Sequence, residues 1–309
     1  RTFWRRHLEP LAPFLDGIDR LIVVPSGTML GIPVEALADE SWTLLSDTYA
    51  VSYVPSATVA AWLSSRGVPA EAADPPSALL LGDPPFVAYP PLPASRDEVA
   101  SIAGMLGEAA VLLGEEASEQ RISALADAGG LAVFDVVHLA THALVDDERP
   151  DRSALVLAQT GLPDRLESIM RGERVYDGLV TAGEIVREWD LGADLVSLSA
   201  CETGLGRRIA GEGYVGFAHA FLQAGARSLL VSLWKVDDRA TSLLVTRFYE
   251  NWVGAFDGRR GGRRAGDFSK AEALREAKRW LRHYEDERGR RPFAHPYFWS
   301  SFILIGDPR

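Results

Sequence analysis

Short aliphatic and β-branched runs alternate with longer stretches whose apolar residues recur at helical spacing, a pattern that predicts an α/β sheet with mostly parallel strands. The strand-like runs are LIVVPS (21–26), YAVSYVPS (49–56), ALLLGD (78–83), AVLLGE (110–115), FDVVHLAT (134–141), SALVLA (153–158), DLVSLSA (194–200), RSLLVSLW (227–234) and FILIGD (302–307). Several lack polar alternation, as strands buried on both faces do. Covering helices are expected over 95–106, 118–128, 213–225, 240–253 and 270–284. Ser95 with Glu98 fits a capping box, and Asp238 or Arg239 opens the fourth of these helices.

RGVPAEAADPPS (66–77) collects Pro, Ala and acids and marks a seam, which divides the chain into an N-terminal subdomain, residues 1–75, and a larger domain, residues 76–309. DPPFVAYPPLP (83–93) reads as a proline-dense surface loop. GAFDGRRGGRRAGDF (254–268) reads as a solvated connection that carries a basic patch, and GLPDRLESIMRGERVYDG (161–178) as a second long connection.

With 309 residues there is ample chain for a sizeable core, and although 47% are hydrophobic, no run approaches the ~20 apolar residues that a bilayer span requires. No membrane association is therefore expected. Asp and Glu number 43 against 32 Lys and Arg, a formal charge of −11, so the average field repels nucleic acid. The single cysteine, Cys201, excludes an intramolecular disulfide and any multi-thiolate metal site, which fits a reducing cytoplasm. The opening RTFWRRHLEP has neither an initiator Met nor an apolar h-region; it reads as a piece of a longer polypeptide without a secretory signal.

The candidate chemistry begins at Cys201, which directly follows the buried-strand pattern DLVSLSA and starts the glycine-rich turn CETGLGRRIAGEG. The carboxyl edge of an open α/β sheet is where ligands bind. An inert buried thiol remains the alternative. His142 occupies the matching place after FDVVHLAT, so parallel neighbouring strands would bring imidazole and thiol together. Only the thiolate attacks a carbonyl effectively, and an imidazole can take its proton and return it to a departing amine. The backbone N–H groups of Cys201 and Ala143 are the candidate donors to the oxyanion of such a reaction.

Other histidines and glycines offer less. His138 and His142 would converge on a metal if helical, but four strand residues separate their rings by roughly 13 Å. No Glu follows His138 as HExxH requires, so no metal is expected and His138 reads as a core histidine. His219 and His295 read as structural. Gly204, Gly206 and Ala210 imitate a dinucleotide fingerprint, yet Arg207 and Arg208 stand where an apolar helix should begin. No cofactor is expected.

Taken together, HLATHA (138–143), LSACETGLG (198–206), GEGYVGFAHAFLQAGARSLLVSLWKVDD (211–238), TRFYENW (246–252) and HPYFWSSFILIGD (295–307) resemble the CHAT domain, a caspase-like peptidase domain. LIVVPSGTMLGIPVEAL (21–37), YAVSYVPSA (49–57), LLLGDPP (79–85) and LLGEEAS (112–118) extend the similarity to nearly the whole chain. The resemblance implies a caspase–haemoglobinase-like three-layer sandwich, with a mostly parallel central sheet flanked by helices and a smaller N-terminal subdomain. It also implies a thiol protease of the kind found in separase, legumain and gingipain, with His142 as catalytic histidine and Cys201 as nucleophile. The family usually has Gly after the histidine where this chain has Ala143, and an alanine supplies the same N–H unless the turn needs positive φ. LWKVDD is similar to a separase loop, which implies that Asp237 or Asp238 receives a basic side chain before the cut, unless these acids only cap a helix; Glu202 and Glu212 are further acidic candidates. Implied partners are a protein substrate, a tetratricopeptide or other regulatory module upstream, and a gasdermin-like effector in bacterial defence. Two alternatives stand beside the endopeptidase: an inactive CHAT-fold interaction scaffold, and a nucleotide-binding regulatory domain.

Overall fold

The computed structural model describes residues 2–67, 75–146, 148–199, 201–202, 213–235, 237–255 and 268–309. The strands are β1 (Arg20–Val23), β2 (Ala50–Tyr53), β3 (Ala78–Gly82), β4 (Ala109–Leu113), β5 (Val136–Ala140), β6 (His142–Leu144), β7 (Ala154–Val156), β8 (Leu179–Thr181), β9 (Leu195–Leu198), β10 (Cys201–Glu202), β11 (Ser228–Ser232) and β12 (Phe302–Gly306). An eight-stranded sheet has the order β1-β2-β12-β11-β9-β5-β3-β4. Every neighbouring pair in it is parallel except β11 with β12. β1 and β2 thus join this sheet through the last strand of the chain.

The alternating sides of each strand explain the layers. Leu79, Leu81, Val137, Leu139, Val196 and Leu198 pack on one face with Ile122, Ile185, Phe217 and Phe221 from the helices Glu119–Asp127, Ala182–Glu188 and Gly213–Gln223. Leu80, Val136, Leu195 and Leu230 pack on the other with Val99, Leu244, Phe248 and Leu274 from Pro93–Ala103, Asp238–Val253 and Lys270–Arg282. Both faces are covered, so the strands show no polar alternation. This is a three-layer α/β sandwich, as the resemblance implies, with the mostly parallel central sheet that the sequence pattern predicts.

Each expected strand and each of the five expected helices is present, and the sequence pattern misses shorter elements. The connection 161–178 contains a helix, Arg165–Arg171, capped by Asp164 at one end and ended by Gly172 at φ 67°. Thr181 and Glu184 form the capping box of Ala182–Glu188. The capping box expected at Ser95 and Glu98 does not form. Pro93 occupies the first turn and starts that helix earlier, with Leu92 at its N-cap, while Glu98 turns into the core. The basic residues of 256–267, most of the seam at 68–74, and Gly204, Gly206, Arg207, Arg208, Ala210 and Glu212 lie outside the described residues.

Candidate active site

Two central strands carry the site. β5 and β9 lie side by side, with Leu139 opposite Leu198, and both chains continue past the sheet edge into a second, four-stranded sheet of order β10-β6-β7-β8. There β6 and β10 pair in parallel and in the same register, so that Cys201 stands opposite His142 and Glu202 opposite Ala143. The backbone thus places the two sequence-predicted dyad positions on adjacent strands. β6 is held on its other side by β7, with His142 opposite Val156. The Thr141 hydroxyl, at the break between β5 and β6, donates to the Val156 carbonyl. Ala143 lies in β6 and is not among the residues of positive φ, so the conformation that would favour glycine there is not used.

His142 is 1% exposed. Its Nε2 is 2.8 Å from the Pro90 carbonyl oxygen, and a carbonyl only accepts, so Nε2 carries the proton. Nδ1 is buried with no hydrogen-bond partner among the described residues, which leaves its lone pair free to accept a proton. Phe86 and Tyr89 flank the imidazole with ring centroids at 4.6 and 5.7 Å. Burial pushes the His142 pKa below the ordinary imidazole value; the Pro90 hydrogen bond opposes this, Lys235 adds to it and Asp238 opposes it. The ring is accordingly held neutral near pH 7, as a general base requires.

The proline-dense segment 83–92 is thus a strap laid over His142. Its tip, Val87 and Ala88, is exposed, while Phe86 and Tyr89 turn inward. Periodicity gave no sign of this function, and a clustering of two aromatics among prolines was the available clue.

The two acids after β11 differ in their contacts. Asp237 caps Asp238–Val253 by accepting from the Ala240 amide at 3.1 Å. Asp238 is half-buried, accepts weakly from the Ala94 amide at 3.3 Å, and has its pKa raised by burial, with Ala94 opposing. Beneath the site, His138 is fully buried on β5, with Nε2 3.0 Å from Glu98 Oε1 and Nδ1 3.5 Å from the Tyr249 hydroxyl. It is a core histidine, and Glu98 is the partner that the sequence pattern assigned to a cap instead. Among the described residues no group of three or more His, Cys, Asp or Glu side chains could hold a metal, and no helix is long and apolar enough to cross a membrane. His219 is exposed on Gly213–Gln223, where it lines an apolar cavity of about 720 Å³ with Leu30, Val54 and Val186.

A family model described as the CHAT domain matches residues 1–307. Tetratricopeptide repeat protein 28 of Homo sapiens is 27% identical over 238 residues, which cover 70% of this chain and 8% of that protein. Its Mus musculus counterpart is 28% identical over 239 residues, covering 70% and 9%. The chain therefore spans less than a tenth of the length of these relatives. Among solved structures, the separase–securin complex of Saccharomyces cerevisiae matches with a TM-score of 0.53 at 13% identity, covering 92% of this chain and 15% of the other. The Arg-specific cysteine proteinase gingipain R matches with a TM-score of 0.56 at 9% identity, covering 97% and 66%. At such identities the likeness is one of fold.

Proposed function

The chain belongs to the CHAT domain family, whose fold it shares with cysteine peptidases, and from that premise we propose that it is a cysteine endopeptidase with Cys201 as nucleophile and His142 as general base. The observation that carries this is the β6–β10 pairing, which sets the backbones of the two residues directly opposite each other. His142 Nδ1, left as acceptor by the Nε2 bond to Pro90, takes the Cys201 thiol proton. The thiolate attacks the scissile carbonyl carbon, and the resulting oxyanion is met by the amides of Cys201 and Ala143. The C–N bond then breaks as His142 returns the proton to the leaving amine. Water, deprotonated by His142, hydrolyses the thioester and restores the thiol.

A preference for Arg or Lys before the cut is assigned to Asp238 ahead of Asp237, because the Asp237 carboxylate is engaged by its own helix. The substrate is a protein, and an effector of the gasdermin type is one class that mapping of new N-termini in cells would reveal. The relatives' name supports a tetratricopeptide module in the same polypeptide as the regulator of cleavage. The burial of His142 at 1% exposure favours a second reading, a scaffold without catalysis.

A peptidyl electrophile with Arg at its reactive end separates the two. An active dyad gives an adduct at Cys201, turnover of the matching peptide, and loss of both in Cys201→Ala. No adduct, or turnover that survives the substitution, overturns the peptidase assignment and leaves the scaffold.

A further inference from the structure

The strap over His142 is fastened at three places. At its base, Ser95 Oγ accepts from the Asp83 amide at 2.9 Å and donates to the Leu92 carbonyl at 2.6 Å, which closes both ends of the 83–92 segment on one hydroxyl. Asp83, at φ 50°, turns the chain out of β3 and pairs with Arg96 at 2.7 Å. Its middle is held from outside. Gln159, beyond the end of β7, donates its backbone N–H to the Pro85 carbonyl at 2.9 Å, and its Oε1 accepts from the amides of Val87 at 3.0 Å and Ala88 at 3.5 Å. Prolines at 84, 85, 90 and 91 have no N–H to form a ladder, so the segment cannot fix itself by its own backbone bonds.

We propose that Gln159 is a positioning residue for the dyad: by fastening the middle of the strap it keeps the Pro90 carbonyl on His142 Nε2 and so keeps Nδ1 as the proton acceptor. This rests on the peptidase assignment above. β7 reaches the strap through Gln159 and the base through its pairing with β6, so one strand sets the height of both the imidazole and the carbonyl that orients it. Facing His142 are Phe86, Tyr89 and the Pro90 carbonyl from the strap, Lys235 from the turn after β11 and Asp238 from the start of its helix, and the backbone of Cys201 lies opposite it in register. Lifting the strap admits water to the ring and removes the largest influence on its proton affinity, so the His142 pKa rises toward the ordinary value.

Gln159→Leu keeps the bulk and removes the acceptor, and because Gln159 is only half-buried the melting temperature is expected to stay close to wild type. The variant should lose about 10-fold or more in kcat with KM within about 2-fold, because a misplaced base weakens the transition state rather than substrate binding. The acid limb of its kcat/KM profile should move to higher pH. Gln159→Glu retains acceptor oxygens and should keep kcat within about 3-fold of wild type, in line with one replaced hydrogen bond. Wild-type kcat and an unmoved acid limb in Gln159→Leu would overturn the proposal, as would Gln159→Glu failing as badly as Gln159→Leu. The NMR titration of His142 in a Cys201→Ala background tests the strap without turnover: an upward shift on adding Gln159→Leu supports it and no shift overturns it. If wild-type protein cleaves no peptide, the peptidase assignment falls while this titration still decides the role of Gln159.

Discussion

At the scale of single residues, the site depends on which atom of each side chain is already engaged. Among the described residues, His142 has one ring nitrogen committed to a carbonyl and one without a hydrogen-bond partner, and that asymmetry assigns its tautomer. Because burial lowers its pKa, kcat/KM should stay level through neutral pH and fall only below the ordinary imidazole range, where the ring gains its proton; a pH–rate profile checks this. His138, four positions earlier, has the opposite character, since Glu98 and Tyr249 face its two nitrogens inside the core. Glu98→Leu should cost about 1–3 kcal/mol in urea denaturation by removing the carboxylate that lies 3.0 Å from a buried ring nitrogen. Residue types at strand ends mark Cys201 and His142 as candidates, and the structure sets their backbones opposite each other. Pro90, Ser95 and Gln159 were not legible, because their importance lies in contacts to residues that no local pattern marks: Gln159 meets a strap some seventy positions before it.

At the scale of elements, long buried strands and amphipathic helices announced themselves, while β6, β8 and β10 did not. So few positions give little room for a period to emerge; β6 and β10 continue β5 and β9 beyond the main sheet and pair there, and β8 is added through β7. The start of helix Asp238–Val253 gives its two adjacent acids different contacts. Asp237→Ala removes its N-cap and should cost about 1 kcal/mol in chemical denaturation while leaving the ratio of Arg-peptide to neutral-peptide cleavage unchanged. Asp238→Ala should lower that ratio. Equal ratios in wild type and Asp238→Ala would remove Asp238 from the specificity site.

For the whole molecule, the last strand is what makes one sheet of the two ends of the chain. β12 lies between β2 and β11, antiparallel to β11 and parallel to β2, so deletion of 302–309 should cut the β1–β2 pair off from the rest of the sheet and abolish cooperative unfolding by circular dichroism. A charge network closes the same corner. Lys270 Nζ is 2.7 Å from Asp194, and Arg227 and Arg309 reach Asp307 at 3.0 and 2.7 Å. Burial raises the Asp307 pKa, but the hydrogen bonds from Arg309 and Arg227 outweigh it and hold the group at about 2, against 3.8 ordinarily. A carboxyl held below its unfolded value adds stability above that value and loses it as pH falls toward 2. Asp307→Asn should therefore flatten the loss of stability between pH 4 and 2, measured by denaturation at several pH values.

The sequence by itself determined the three layers, because burial on both faces of a sheet requires unbroken apolar strands and one-sided helices, and both are periodic signals. It also put a thiol and an imidazole at strand ends, since those residues follow their strands directly in the chain. Only the tertiary structure decided that the two strands are neighbours in one register, that a proline-rich segment lies across the imidazole, and that Gln159 holds it there. Each of these is a contact between segments far apart in the chain, fixed by packing and hydrogen bonding that no local spacing encodes.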